Sequence, residues 1–281
     1  MKDFRLAIAQ IESKFGDLAY NIEKHARVAK ESCNSGADMV LFPELGLSGY
    51  SLRDLSYNLA VRPDGNEMRP IIEASKEIAI FCSFPEMCPD HVVRISGCLY
   101  IGGEIAQIYR KIHLPTHGLF EEARYFGKGN TIRAFDTPFG RLGIMICRDL
   151  WHPEEAYVLS RDGAEMIIAC SAIPARVLGK NGFSVKKFFE RTTGNIAFTN
   201  QVFLASTNKV GYEDGVAFFG NSVVFGPDGH ELAILPELVE HVQIVDIDSS
   251  VLAKARYNMS LYRESDFGTV LDEMERIEKN A

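Results

Sequence analysis

The 281-residue sequence lacks the features that mark two common classes of binding protein. No apolar stretch approaches the length needed to span a membrane, which argues against a transmembrane protein. Basic residues are not in excess, because 30 Lys and Arg stand against 38 Asp and Glu, for a formal net charge of -8. Nucleic-acid binders usually carry a basic face. We therefore expect neither a nucleic-acid partner nor a membrane partner.

Cysteine spacing argues against a metal site. The six cysteines form no CxxC pair, and no cysteine–histidine cluster has the spacing of a zinc site. No signal-peptide pattern precedes them, since the first residues lead directly into a short strand-like run. We expect a cytoplasmic protein with reduced cysteines, and nothing in the sequence implies a metal ion or an organic cofactor.

The chain also lacks Pro/Ser-rich linkers and low-complexity segments, which predicts a single domain over residues 1–281, with a charged tail at about 265–281 that either docks or frays. Strand-like runs alternate with helical spacing of apolar residues, a pattern typical of layered α/β proteins. Turn signals between several strand pairs indicate hairpins and argue against a purely parallel sheet. The predicted fold is two mixed β-sheets packed face to face, with helices on the outer faces.

A short similarity indicates that the two halves of the chain are related. Residues 36–41 and 163–168 both read Gly-Ala-acid-Met followed by apolar residues, and both follow a predicted helix. The match is brief, so it supports a repeated plan without proving a repeat.

Cys147 ends an apolar run, Leu142 to Ile146, and polar residues and Pro153 follow it. This order predicts a strand-to-helix turn, with Asp149 or His152 capping the helix that starts near Pro153. The positive end of a helix favours a thiolate, so the cysteine is a candidate nucleophile. A small buried core cysteine explains the same pattern.

Two charged residues follow other predicted strands. Glu44 comes directly after the run Met39 to Pro43, and Lys111 follows the strand that ends at Arg110. Charged residues often end strands for no functional reason, but the rim of a sheet is also where active sites collect. A carboxylate that accepts the thiol proton and a lysine that stabilises an oxyanion would complete the requirements of acyl transfer.

These three segments resemble the nitrilase superfamily of carbon-nitrogen hydrolases. The family pattern F-P-E-L-x-L-[ST]-G-Y is matched from Phe42 to Tyr50, and Y-R-K-x-H-L is matched from Tyr109 to Leu114. The cysteine pattern G-x-x-I-C-x-D-x-x-x-P-E is matched from Gly143 to Glu154. The resemblance implies a Glu44-Lys111-Cys147 catalytic triad on a four-layer αββα sandwich.

The resemblance implies further site residues. A second glutamate near the lysine corresponds to Glu122, with Glu121 as the rival. The backbone N–H of Arg148 is expected to bind the oxyanion. Tyr50 is expected to line the substrate pocket, and Ser171 to touch the substrate. The loops 52–63 and 175–182 are expected to shape that pocket.

The same resemblance indicates the substrate class. Nitrilases proper usually carry Cys-Trp-Glu, whereas this chain reads Cys147-Arg148-Asp149, which favours an amide over a nitrile. Similarity to the glutaminase domain of glutamine-dependent NAD synthetases leaves a glutaminase subunit as an alternative, as are a nitrilase, a carbamoyl-compound hydrolase and, more remotely, an inactive scaffold. Family members commonly self-associate, so we expect a homodimer or a larger homo-oligomer.

Overall fold

The computed structural model describes residues 1–175, 178–179 and 182–280. Within these ranges the strands are β1 (Phe4–Gln10), β2 (Met39–Leu41), β3 (Ala79–Met87), β4 (Val93–Ile101), β5 (Glu104–Arg110), β6 (Phe135–Thr137), β7 (Gly140–Ile146), β8 (Met166–Ser171), β9 (Leu178–Gly179), β10 (Gly182–Phe183), β11 (Phe203–Asn208), β12 (Val210–Glu213), β13 (Val216–Phe219), β14 (Val223–Phe225), β15 (Glu231–Ile234) and β16 (His241–Ile247). The α-helices are α1 (Leu18–Asn34), α2 (Arg69–Ala74), α3 (Glu122–Tyr125), α4 (Pro153–Arg161), α5 (Ser184–Asn200), α6 (Ser249–Asn258), α7 (Leu261–Glu264) and α8 (Phe267–Glu278).

Two six-stranded mixed sheets organise the chain. The first has the order β16-β1-β2-β3-β4-β5, and the second has the order β15-β14-β11-β8-β7-β6. In the first sheet β1, β2 and β3 run parallel, and in the second β7, β8 and β11 do. The outer strands of both sheets pair antiparallel. The predicted combination of parallel strands with hairpins is confirmed.

The two sheets pack face to face because alternate side chains of each strand are apolar on both faces. On β1, Leu6 and Ile8 belong to the core between the sheets, whereas Ala7 and Ala9 belong to a separate apolar cluster. The contact between the sheets is close, since a Cβ at Gly97 of β4 would lie 3.5 Å from Cδ1 of Ile146 on β7.

Helices cover the outer faces of both sheets. α1 and α2 bury Ile22, Val28 and Ile71 in the outer cluster of the first sheet. α4 covers the second sheet so closely that a Cβ at Gly143 of β7 would lie 2.8 Å from Cδ1 of Leu159. Each aliphatic side chain buried in these layers contributes about 1.5–3 kcal/mol of transfer free energy. The layers form the expected αββα sandwich.

The two sheets repeat one local arrangement. Arg5 at the start of β1 exchanges hydrogen bonds with Asp38, from its N–H to the carboxylate and to its carbonyl from the Asp38 N–H, both at 2.8 Å. Arg141 on β7 does the same with Glu165, at 3.0 and 2.8 Å. In both cases the acid precedes the parallel neighbour strand, so the Gly-Ala-acid-Met similarity reflects a shared way of joining helix to strand.

The charged tail forms helix α8, whose apolar face is exposed. Five side chains at helical spacing line this face: Phe267, Val270, Leu271, Met274 and Ile277. In the described part of the chain, no helix is both long enough and apolar enough to cross a membrane. All six cysteines are free, including Cys82 and Cys98, which lie directly opposite each other on β3 and β4.

Candidate active site

Glu44 lies in the turn that follows β2 and is fully buried. Ser83 on the neighbouring strand β3 holds this turn, because its Oγ accepts a hydrogen bond from the Leu45 N–H at 3.1 Å and its carbonyl accepts one from the Leu47 N–H at 3.3 Å. Oε1 of Glu44 accepts a hydrogen bond from Lys111, whereas its Oε2 has no hydrogen-bond partner among the described residues. One carboxylate oxygen is therefore free to accept a proton.

Lys111 is the first residue after β5, and its ammonium is completely buried between two carboxylates. Nζ lies 2.7 Å from Oε1 of Glu44 and 2.8 Å from Oε1 of Glu122. A buried charge is costly unless it is paired. An ammonium has three N–H donors, so two carboxylates leave one donor for a further acceptor.

The two carboxylates determine the charge of this group. Burial by itself lowers the pKa of Lys111, but the charges of Glu122 and Glu44 outweigh burial and hold that pKa well above its usual range. Burial raises the pKa of Glu122 to about 7, with Lys111 opposing the rise and Glu44 adding to it. Lys111 is therefore a permanent cation at neutral pH, and Glu122 is able to bind or release a proton there.

Cys147 follows β7 and begins the short 3₁₀ helix Cys147–Trp151. Its φ angle of 48° lies in the left-handed region, which non-glycine residues rarely adopt outside functional or strained sites. The Ala172 N–H hydrogen-bonds to the sulfur. This turn presents the side chain at the base of a cavity of about 170 Å³.

The thiol of Cys147 is protonated in the resting structure. Burial raises its pKa well above the usual range, the negative charge of Glu44 adds to the effect, and the charge of Lys111 opposes it. The helix-terminus argument for a thiolate is therefore wrong for the resting state, because desolvation outweighs one turn of helix. A nucleophilic role for this sulfur requires a base, and Glu44 is the nearest group of that kind in the charge balance.

The structure distinguishes the two neighbouring glutamates. Glu122 is buried and contacts Lys111, whereas the half-exposed Glu121 pairs with Arg53 and Arg124 at the surface. The Tyr50 hydroxyl donates a hydrogen bond to Oε1 of Glu122. Of the two candidates, only Glu122 belongs to the buried cluster.

Tyr50 reaches the cluster from a loop that is held by a second buried charge. Glu213 accepts hydrogen bonds from the backbone N–H groups of Tyr50 and Ser51. Lys209 in turn lies 3.2 Å from Glu213, and both side chains are 1% exposed. Tyr50 lines a second cavity that holds Glu122, so the structure does not place it in the Cys147 cavity.

The Cys147 cavity is lined mainly by apolar side chains. Its lining residues are Pro115, His117, Phe120, Cys147, Arg148, Trp151, Ile173, Pro174 and Val185. Ser171 ends β8 and is fully buried next to this segment, but it is not among the lining residues, and its Oγ has no hydrogen-bond partner among the described residues. Residues 176, 177, 180 and 181 of the predicted pocket loop lie outside the described residues.

Asp149 joins the cysteine turn to the lysine strand. Its carboxylate accepts hydrogen bonds from the N–H of Ile146, the N–H of His113 and the hydroxyl of Tyr109, at 3.2, 2.9 and 2.8 Å. Tyr109 and His113 flank Lys111 by two residues on each side. One buried carboxylate thus fixes the position of the cysteine turn relative to the lysine.

Neither residue proposed as the cap of α4 performs that role. The helix begins at Pro153, and the side chain of His152 makes no capping hydrogen bond. His152 stacks on His113 instead, with ring centroids 3.4 Å apart. Asp149 binds groups that are distant in the sequence, so a local capping rule assigned it to the wrong partner.

Glu155 and His113 complete this buried junction. The Tyr109 hydroxyl also donates to Glu155 at 2.9 Å, and Nδ1 of His113 lies 2.6 Å from the other Glu155 oxygen. The hydrogen bond to Asp149 raises the pKa of His113, with burial opposing, and burial raises the pKa of Glu155 to about 7. Sequence reasoning missed this pair, because a strand end and a helix carry its members.

Comparison with known proteins places these residues in a family context. The family model described as carbon-nitrogen hydrolase matches residues 5–257. The chain is 29% identical to a probable nitrilase of Schizosaccharomyces pombe over 90% of this chain and 92% of that protein. It is also 29% identical to a glutamine-dependent NAD(+) synthetase of Thermotoga maritima, over 88% of this chain but only 42% of the synthetase.

A solved structure has the same fold. The carbon-nitrogen hydrolase from Helicobacter pylori G27 superposes with a TM-score of 0.88 at 24% identity, and the match covers 97% of this chain and 98% of that one. The expected similarity to the nitrilase superfamily, including the synthetase glutaminase domains, is confirmed.

We predict that Asp149→Asn lowers the free energy of unfolding by about 2–4 kcal/mol, because the amide presents N–H groups to buried donors that need an acceptor. Denaturant unfolding measures the loss. The matched control is Asp136→Asn, which breaks an exposed ion pair with Arg141 and should cost less than about 1 kcal/mol. Equal losses in the two variants would contradict the junction role of Asp149.

We also predict a pH-dependent contribution from the His113–Glu155 pair. Both groups have raised pKa values in the folded protein, so the folded state binds more protons than the unfolded state, and the stabilisation must fall as pH rises. The difference in unfolding free energy between wild type and His113→Gln/Glu155→Gln should therefore be larger near pH 5.5 than near pH 8.5, a window set by the ordinary values of about 4.3 for Glu and 6.5 for His.

The control for this series is His230→Gln, which removes an exposed histidine paired with Asp228. Its unfolding curve should follow the wild type across the same pH range. A difference for the double variant that grows as pH rises would contradict the proton balance of the junction.

Proposed function

The chain belongs to the carbon-nitrogen hydrolase family, and we propose that it hydrolyses a small amide. Cys147 is the nucleophile, Glu44 the general base and Lys111 the cation that stabilises the oxyanion. The observation that carries this proposal is the buried ion pair of Glu44 and Lys111, 2.7 Å apart, whose charges both act on the thiol of Cys147. Three segments of two sheets supply these groups.

In the first step the sulfur attacks the amide carbon while the thiol proton moves to Oε2 of Glu44, which has no other hydrogen-bond partner among the described residues. The carbonyl oxygen becomes an oxyanion, and the third N–H of Lys111 and the backbone N–H of Arg148 are its donors. The carbon–nitrogen bond then breaks, and Glu44 returns the proton to the leaving nitrogen. The products of this step are a thioester on Cys147 and ammonia or an amine.

In the second step water attacks the thioester. Glu44 accepts a proton from the water, the carbon–sulfur bond breaks, and the thiol regains its proton. Glu122 assists by holding Lys111 in place from the side opposite Glu44. Its position between Lys111 and Tyr50 suits a positioning role that keeps the ammonium aimed at the oxyanion.

The cavity supports a small substrate. Its volume of about 170 Å³ is well below the roughly 300–1,000 Å³ of pockets for drug-sized ligands. We place an amide before a nitrile because the nucleophile segment reads Cys147-Arg148-Asp149 rather than Cys-Trp-Glu. A nitrilase and a carbamoyl-compound hydrolase remain the alternatives with the same nucleophile.

Two other functions stay open to test. The similarity to the Thermotoga maritima synthetase supports a glutaminase that serves a separate partner, and the chain spans only 42% of that relative. An inactive scaffold is the alternative from a different class. A retained buried cluster of charges speaks against the scaffold, because unused buried charges cost stability.

We further propose that the protein is a cytoplasmic homodimer or larger homo-oligomer. Free cysteines that face each other at Cys82 and Cys98 suit a reducing compartment. The exposed apolar face of α8 supports self-association, since a row of apolar side chains at helical spacing usually packs against another surface.

We predict that Cys147→Ala reduces ammonia release from small amides by about a thousandfold or more, because no other group can form the thioester. The same variant should form no hydroxamate when hydroxylamine is added with the amide. The matched control is Cys33→Ala on helix α1, which should keep the wild-type rate.

Comparing matched substrates distinguishes the alternatives. Faster ammonia release from an amide than from its nitrile supports the amidase, and the reverse order would make the protein a nitrilase. Turnover of glutamine alone would identify a glutaminase. A folded Cys147→Ala variant with a near-wild-type rate would overturn the nucleophile assignment, and no product from any substrate would leave the scaffold.

Sedimentation velocity tests the oligomer. We predict a dimer or larger species for the wild type, and dissociation for Leu271→Glu/Met274→Glu, because two carboxylates on the apolar face of α8 oppose its burial. Glu278→Gln on the same helix is the control and should not change the state. A monomeric wild type at micromolar concentration would contradict self-association.

A further inference from the structure

Arg148 is the exception among the partly buried arginines of the described chain. The other arginines of this kind all have partners: Arg94 with Asp90, Arg110 with Glu86, Arg141 with Asp136 and Asp162, Arg161 with the Tyr262 carbonyl, and Arg256 with the carbonyls of Gln201 and Ala164. Among the described residues, no hydrogen bond or ion pair involves the Arg148 side chain.

An unpaired guanidinium in such a place is unusual. Arginine stays charged at any physiological pH, and a charge that is partly withdrawn from water normally has a partner. Arg148 lines the Cys147 cavity, so the group that pairs with it has room to come from a ligand. The guanidinium fork matches the geometry of a carboxylate with two parallel hydrogen bonds.

The rest of the cavity suits a short carbon chain. Phe120, Trp151, Ile173 and Val185 provide apolar walls, and His117 is the other basic side chain in the lining. No carboxylate is among the lining residues of this cavity. The cavity therefore offers positive charge and apolar surface to the part of the substrate beyond the reacting carbon.

Distance limits the length of that chain. Arg148 directly follows Cys147, and consecutive Cα atoms are about 3.8 Å apart. A substrate that reaches both residues within about 170 Å³ has only a few carbons between its amide and its anionic group.

We propose that the substrate is a short aliphatic amide that carries a carboxylate at its other end, and that the side chain of Arg148 binds this carboxylate. The proposal rests on the amidase function and names the substrate class of the same site. It also separates this class from glutamine, whose additional ammonium group would meet two basic side chains and no lining carboxylate. Arg148 is thus a specificity-determining residue, in addition to the role of its backbone N–H.

The test compares succinamate, which carries the carboxylate, with butyramide, which has a methyl group in its place. For the wild type we expect kcat/KM to favour succinamate by about tenfold or more, the range for a hydrogen-bonded charge. Arg148→Gln should remove most of this preference, and Arg148→Lys should restore part of it, since lysine keeps the charge without the fork. Arg69→Gln, at an exposed arginine of α2, is the control and should keep the wild-type ratio.

Binding provides a second measurement that does not depend on turnover. In the Cys147→Ala background, calorimetry should detect succinamate binding about tenfold or more tighter than butyramide binding, and adding Arg148→Gln should remove the difference. Equal binding of the two ligands, or a preference that survives Arg148→Gln, would overturn the assignment of Arg148. Turnover of butyramide and succinamate at equal rates would overturn it while leaving the amidase intact.

The proposed function fails in a different way. Succinamate that binds through Arg148 but is never hydrolysed by the wild type would support the anion site and contradict the amidase. A wild type that hydrolyses glutamine faster than succinamate would contradict the carboxylate-only class and support the glutaminase alternative.

Discussion

A single buried ammonium constrains the site. Lys111 lies in the interior with its charge retained, and a lone charge there would cost several kcal/mol. Its stability depends on Glu44 and Glu122, which come from a turn after β2 and from the short helix α3. The fold must therefore bring two distant acidic residues to the end of β5. The free oxygen of Glu44 and the unused N–H of Lys111 are consequences of this arrangement, and they are the groups that the proposed chemistry requires.

Additional buried polar contacts hold the three segments in place. Asp149 ties the left-handed turn at Cys147 to both sides of Lys111, and Glu213 holds the loop that carries Tyr50 to Glu122. Such networks are costly when one member is unsatisfied, so a fully bonded network favours one arrangement of the chain. The strained turn at Cys147 persists because these contacts surround it. The rigidity of the site thus comes from polar groups, whereas the sheets and helices supply the apolar support.

Sequence reasoning succeeded where the signal was local. Apolar runs and turn residues predicted the two mixed sheets, and each of the residues Glu44, Lys111 and Cys147 stands directly after or close beyond a strand that the pattern identified. It failed where partners are distant in the chain. Asp149 was assigned to a helix cap because capping is judged from neighbours, yet its partners Tyr109 and His113 lie 40 and 36 residues away. The protonated state of the Cys147 thiol depends on burial, which spacing does not reveal.

The most direct test of the central claim is to trap the covalent intermediate. Wild-type protein is mixed with a small amide, quenched in acid within the first turnover, digested with trypsin and measured by mass spectrometry. If Cys147 forms a thioester, the peptide Leu142–Arg148 gains the mass of the acyl group, and neutral hydroxylamine removes it. Rapid ammonia release with this peptide unmodified, or with the acyl group on another residue, would contradict the proposed role of Cys147.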